Sequence, residues 1–217
     1  MPAVTILLAD GFETVEATAP ADVLRRVGVR TRLVSATGTY QVVSAQQVQV
    51  SADDLIETFD FDRCDCLVLP GGIVATRQLH ADERVRILLR RFVESRMLAS
   101  SGLGPNVLSN LGLLVNRHAT VLRGYEGAII PASYVNRDVV RDRNLLTCRS
   151  LGAILEYSAE LVDMVAGPDA FRRVREELCL PASPAPRGEE CPSASAVGDA
   201  DGRHAPGIVE AEGGVEP

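Results

Sequence analysis

Short apolar runs that stop at turns rich in glycine or acid recur along the first 180 residues, with helical stretches between them. Val4–Ala9 and Cys66–Leu69 carry apolar or β-branched side chains at nearly every position, the pattern of strands buried on both faces of a sheet. Val29–Ser35 and Met97–Ser101 read as two further strands, and Gln41–Val50 alternates like a hairpin arm. Val15, Ala19, Val23 and Leu24 recur at helical spacing up to Gly28, a helix stop. Val85, Leu88, Leu89, Phe92 and Val93 share one helix face, opposite Arg84, Arg86, Arg90 and Arg91. Helices are also expected over about 105–113, 152–165 and 169–178, and short strands around Val139 and Leu146 flank a turn at Asp142–Asn144. This alternation predicts an α/β sandwich: a mostly parallel sheet with helices on both faces.

Hydrophobic residues make up 46% of the chain and aromatic ones only 4%, with no Trp, so the core must be aliphatic. All 22 basic residues are Arg, which excludes lysine chemistry: Schiff bases, P-loop lysines and receiver-domain phosphorylation. A formal charge of −7 speaks against a nucleic-acid partner. No apolar run approaches the ~18 residues of a membrane span. No basic region precedes the first apolar stretch, so no secretory signal is expected. The five cysteines, irregularly spaced, read as reduced thiols of a cytoplasmic protein. Composition breaks after Leu180. The segment 181–217 holds six of the twelve prolines and carries −5 of the net charge, so residues 1–180 form the expected domain and 181–217 a disordered tail. Cys191 and His204 fall in that tail.

In open α/β sheets ligands bind at the carboxyl ends of the strands. The turns expected there are Asp10–Glu16, Pro70-Gly71-Gly72 and Gly102-Leu103-Gly104-Pro105, whose glycines let backbone approach a ligand. Gly11-Phe-Glu-Thr-Val-Glu16 with Pro20, Leu69-Pro-Gly-Gly72, Gly104-Pro105, and Thr147-Cys-Arg-Ser-Leu-Gly152 before Leu155-Glu-Tyr157 together resemble the DJ-1/PfpI (ThiJ/PfpI) family, nearest its DJ-1 branch, over residues 3–180. The resemblance implies a three-layer flavodoxin-like sandwich, usually a homodimer, with glyoxalase, deglycase, oxidant-sensing or chaperone roles and no cofactor.

It also implies a nucleophilic Cys at the turn after the fifth strand, a Glu from the first helix beside it, often a His, and backbone N–H groups that hold an oxyanion. By that match Glu16 is the carboxylate and candidate acid/base. Gly71, Gly72 and Leu103 form the oxyanion surround, and the nucleophile position is Gly102. Leu122 fills the His slot. The thiol and imidazole are thus expected to be missing, and a small metabolite or anion is the expected partner. Glu16 is expected to be partly buried, with its pKa raised by desolvation and with Arg123 and Arg149 as candidate counter-charges; without the resemblance, Glu13 and Glu16 alike read as acids that favour a helix N-terminus. Ser101 is expected to point to the opposite face of its strand, Ser100 to lie too deep, and Cys148 to be a small buried hydrophobe. Cys64 and Cys66 are too close for a disulfide. His80, His118 and His204 are isolated, so neither a metal cluster nor a Ser-His-Asp triad is expected. An enzyme acting on reactive aldehydes, with Glu16 moving protons and a water or displaced serine in place of the thiolate, is the competing reading, and a structural subunit beside an active paralogue a third.

Overall fold

The computed structural model describes residues 1–130, 132–167, 170–175 and 178. The expected tail, with Cys191 and His204, lies outside the described residues.

The main sheet is built from β1 (Ala3–Leu8), β2 (Arg30–Ser35), β5 (Asp54–Leu55), β6 (Cys66–Leu69), β7 (Met97–Ser101), β10 (Val139–Asp142) and β11 (Leu145–Cys148). Its order is β10-β11-β7-β6-β1-β2-β5, parallel except for β10, which pairs antiparallel to β11. Ile6 therefore lies between Leu33 and Val68. In β6 consecutive residues are all buried, so both sheet faces are covered there, which is why this strand reads as an unbroken apolar run. A small antiparallel ribbon joins β3 (Gln41–Val43) to β4 (Gln49–Ser51), and β8 (His118–Ala119) pairs with β9 (Ser133–Tyr134).

The helices are α1 (Thr14–Arg26), α2 (Ile73–Ala81), α3 (Glu83–Ser95), α4 (Gly104–Asn110), α5 (Ile154–Ala166) and α6 (Arg172–Arg175). α1 packs on α5, while α2 packs on α3 and α4. α3 follows the expected pattern, burying Val85, Leu89 and Phe92, and Asp82 caps it by accepting from the Arg84 N–H. None of the described helices is long and apolar enough to cross a membrane.

Several elements depart from the sequence reading, the unforeseen β8–β9 pair among them. The stretch 41–50 is not one hairpin arm but both, folded back at Ser44–Val48 with Gln47 at φ 61°. α2 carries no clear stripe in the sequence because Ile73 and Val74 are exposed while its buried side is Ala75, Thr76 and Leu79. β5 is two residues long, too short to leave a period.

Candidate functional site

The sheet grows outward in one direction from β1 through β2 to β5, and in the other through β6, β7 and β11. The carboxyl ends of β1 and β6 thus flank the point where the winding reverses, the place where such sheets hold ligands. Glu16, in the first turn of α1, reaches into this crevice and is 1% exposed. Its Oε2 accepts hydrogen bonds from the Gly71 N–H at 2.9 Å and from Ser101 Oγ at 2.9 Å. Its Oε1 accepts from Ser150 Oγ at 3.2 Å.

The carboxyl group occupies space that side chains would otherwise fill. A Cβ on Gly71 would sit 2.7 Å from Oε2, and one on Gly102 would sit 2.7 Å from Oε2 and 2.9 Å from Oε1. Gly102 is also at φ +56°, a region that residues with a Cβ enter only with strain. Gly72 starts α2 against the backbone of Gly11, again with no room for a Cβ. Burial pushes the Glu16 pKa up, and Glu13 adds to the push; the hydrogen bonds from Gly71, Ser101 and Ser150 only partly oppose it.

Ser101 does not point away, as strand alternation predicted. Alternation holds while the chain stays extended. Gly102 turns the chain into the left-handed region directly after β7, so the Ser101 hydroxyl and the vacant Cβ direction of Gly102 face the same carboxyl group. Ser100 is buried against Gly104, with no hydrogen-bond partner for its hydroxyl.

Neither expected counter-charge meets Glu16. Arg149 is 8% exposed and turns the other way, donating to Asn136 Oδ1 at 2.7 Å and Tyr134 Oη at 3.3 Å and pairing with Asp138 at 3.3 Å. Arg123 is exposed and is not among the groups that act on Glu16. The carboxyl group is held by neutral donors alone. Leu122 does lie at the crevice, its N–H donating to the Gly102 carbonyl at 3.1 Å. Gly72 and Leu103 are the residues directly preceding the helical turns of α2 and α4.

Cys148 is fully buried, and burial lifts its thiol to about 12. Cys64 and Cys66 are buried and likewise pushed up, and none of the three is bridged. Among the described residues no group of three His, Cys, Asp or Glu could hold a metal ion. The residue that sequence reasoning passed over is Ser150. Ser before a helical turn ordinarily caps it, yet this side chain makes no cap bond and turns instead to Glu16. The signal, a polar residue after a buried strand's end, was legible only as part of a longer motif.

The DJ-1/PfpI family model matches residues 2–164. The chain belongs to the DJ-1/PfpI family. It is 28% identical to Protein dj-1beta of Drosophila melanogaster over 178 residues, covering 81% of this chain and 95% of that one. It is 31% identical to a protein of Pyrococcus abyssi named a deglycase, covering 75% and 98% of the two chains. The crystal structure of Drosophila DJ-1beta superposes with a TM-score of 0.80 at 27% identity, over 83% of this chain and 99% of that one. A cysteine mutant of a DJ-1 superfamily protein from Salmonella typhimurium gives 0.78 at 26% identity, over 84% and 100%. These matches carry the flavodoxin-like sandwich expected from the motifs.

Proposed function

We propose that this protein is a DJ-1/PfpI member without the family's thiol-dependent glyoxalase or deglycase chemistry, and that its crevice binds a small anionic or carbonyl-bearing metabolite. What supports this reading is Gly102, which stands at the elbow after β7 with the Glu16 carboxyl group against it and which the motif resemblance implies is the nucleophile position. The described thiols offer no substitute, since all three are buried and resist ionisation. Burial raises the Glu16 pKa, so its carboxyl group takes up a proton more readily than it would in water. Once protonated, it would not repel an anion held by the N–H groups of Gly72 and Leu103.

Unbridged thiols fit a cytoplasmic setting. A homodimer fits the exposed Val15, Tyr40, Val43 and Val48 on α1 and the β3–β4 ribbon, which Thr14 Oγ1 ties together by donating to Ser44 Oγ at 2.7 Å.

The test is conversion of methylglyoxal by the purified chain beside Glu16→Ala and Gly102→Cys. No turnover by the unmodified chain is expected. Turnover that disappears in Glu16→Ala would overturn the reading. A second reading, an aldehyde-processing enzyme, is favoured by Ser101 and Ser150. Both hydroxyls touch the carboxyl group, and Ser150, only half-buried, is the one a substrate can reach. Glu16 would take the Ser150 proton as its Oγ adds to the aldehyde carbon, and return it to the former carbonyl oxygen. That reading requires turnover lost in both Glu16→Ala and Ser150→Ala.

A further inference from the structure

The opposite edge of the sheet, at the amino ends of β1 and β2, holds a hollow of about 640 Å³. That volume falls within the roughly 300–1,000 Å³ of small-molecule sites. Its origin lies in the register. Ala3 pairs with Arg30 and Thr5 with Arg32, and registered residues of parallel strands project to the same face. Two small side chains thus lie beside two long ones, and Arg30 and Arg32 are exposed where the rest of β2 becomes buried. Phe59 and Arg63 close the far side, and Arg25 enters from the end of α1.

The four guanidinium groups are not equivalent. Arg25 holds Asp53 at 2.7 Å, Arg32 holds Asp54 at 2.7 Å, and Arg63 holds Asp60 at 3.2 Å. Among the described residues the Arg30 guanidinium makes one contact, a 3.5 Å approach of Nη2 to the Met1 carbonyl. Four arginines line the hollow against two aspartates, Asp54 and Asp60; Asp53 is held by Arg25 and Asp65 accepts from the Ala3 N–H at 2.8 Å, so the charges nearly balance and Arg30 is the guanidinium left without a carboxylate among the described residues. That guanidinium stands beside an apolar wall of Val29 and Phe59.

We infer that this hollow binds an organic phosphate monoester, its phosphoryl group on Arg30 and its apolar body against Phe59. A phosphate monoester carries about −1.5 to −2 charge at pH 7, and a guanidinium presents paired N–H donors that match its oxygens. The site lies at the other end of the strands from Glu16 and is independent of what that crevice does.

The experiment is calorimetric titration of the full chain with phenyl phosphate, inorganic phosphate and phenol, with amide NMR shifts to locate each probe. Phenyl phosphate should bind saturably, moving the amides of residues 3–5, 28–32 and 58–63 and not those of 71–72 or 102–103. Arg30→Ala should weaken it about tenfold at an unchanged melting temperature, and Glu16→Gln should leave it unaltered. Inorganic phosphate should bind more weakly than phenyl phosphate, and phenol not at all. Absence of saturable binding, equal binding by Arg30→Ala, phosphate and phenyl phosphate of equal affinity, or shifts confined to the Glu16 end would each overturn the inference.

Discussion

The two edges of one sheet solve opposite electrostatic problems. At the carboxyl ends of the strands a single acid, Glu16, is enclosed among neutral donors with no cation against it, in space left by Gly71 and Gly102. At the amino ends, four arginines crowd an open hollow in which three have acid partners and Arg30 has none among the described residues. Enclosure makes the first edge sensitive to every added atom and to protonation. Exposure makes the second tolerant, since water screens what the protein leaves unpaired. The same backbone geometry thus supports a tight site and a loose one, and substitutions should separate them.

Glycine replacement gives the largest separation. Gly102→Ala adds a Cβ at 2.7 Å from a hydrogen-bonded carboxyl oxygen and holds a left-handed φ of +56°. The backbone strain costs about 1–2 kcal/mol, and overpacking about 1–3 kcal/mol. Gly28, in the wall of the hollow, has φ +82° but nothing within 4 Å of its Cβ direction. Gly28→Ala should therefore show the strain alone. Urea denaturation of the two variants measures the difference, and equal losses would mean that the carboxyl group yields without cost. Glu16→Ala combined with Gly102→Ala should lose less than the sum of the two single changes, because removing the carboxyl group removes the clash.

Much of the first edge was legible in the sequence, because motifs at strand ends are tied to topology. Glu16, Gly71 and Gly102 sit on three separate segments, and the strand order β7-β6-β1 brings them together. What could not be read was local direction. Ser101 was expected to face away because strands alternate, and one left-handed glycine cancels that rule. Arg149 was expected as a counter-charge to Glu16, yet neighbours on an extended segment point opposite ways: Ser150 turns to the acid and Arg149 to Asn136. The hollow at the other edge left no trace in the sequence, since Ala3, Arg30 and Phe59 share no motif and meet only through register and loop path.

Removing the donors to Glu16 comes next in size. Ser101→Ala deletes a fully buried hydroxyl and should cost about 1–3 kcal/mol; Ser150→Ala, half-buried, should cost less. Both should raise the Glu16 pKa further, which a carbon-13 carboxyl titration reads directly. Because burial already lifts that pKa above 4.5, the folded chain binds the proton more tightly than the unfolded one. The stabilising contribution is complete below pH 4.5 and is lost as pH rises through the folded pKa. Glu16→Gln cannot titrate there. Measured side by side, the wild-type chain should lose stability relative to Glu16→Gln as pH climbs from 4.5, by about 1.4 kcal/mol for each unit of upward shift. A constant difference between them across that range would show that the hydrogen bonds fully offset burial.

The smallest effect is expected where the charge is most conspicuous. Arg30 is exposed, holds no carboxylate and makes one long contact to a terminal carbonyl. Arg30→Ala should change unfolding free energy by no more than about 0.5 kcal/mol. Arg149→Ala should cost more, because Asn136, Tyr134 and Asp138 all lose a partner that is nearly buried. Their order is informative in itself. A cation that the fold does not use for stability, yet holds beside an apolar wall in a hollow of ligand size, is available to an anion from solution. Were Arg30→Ala to destabilise the chain as much as Arg149→Ala, Arg30 would be a structural strut, and the contrast between a closed acidic edge and an open basic one would fail.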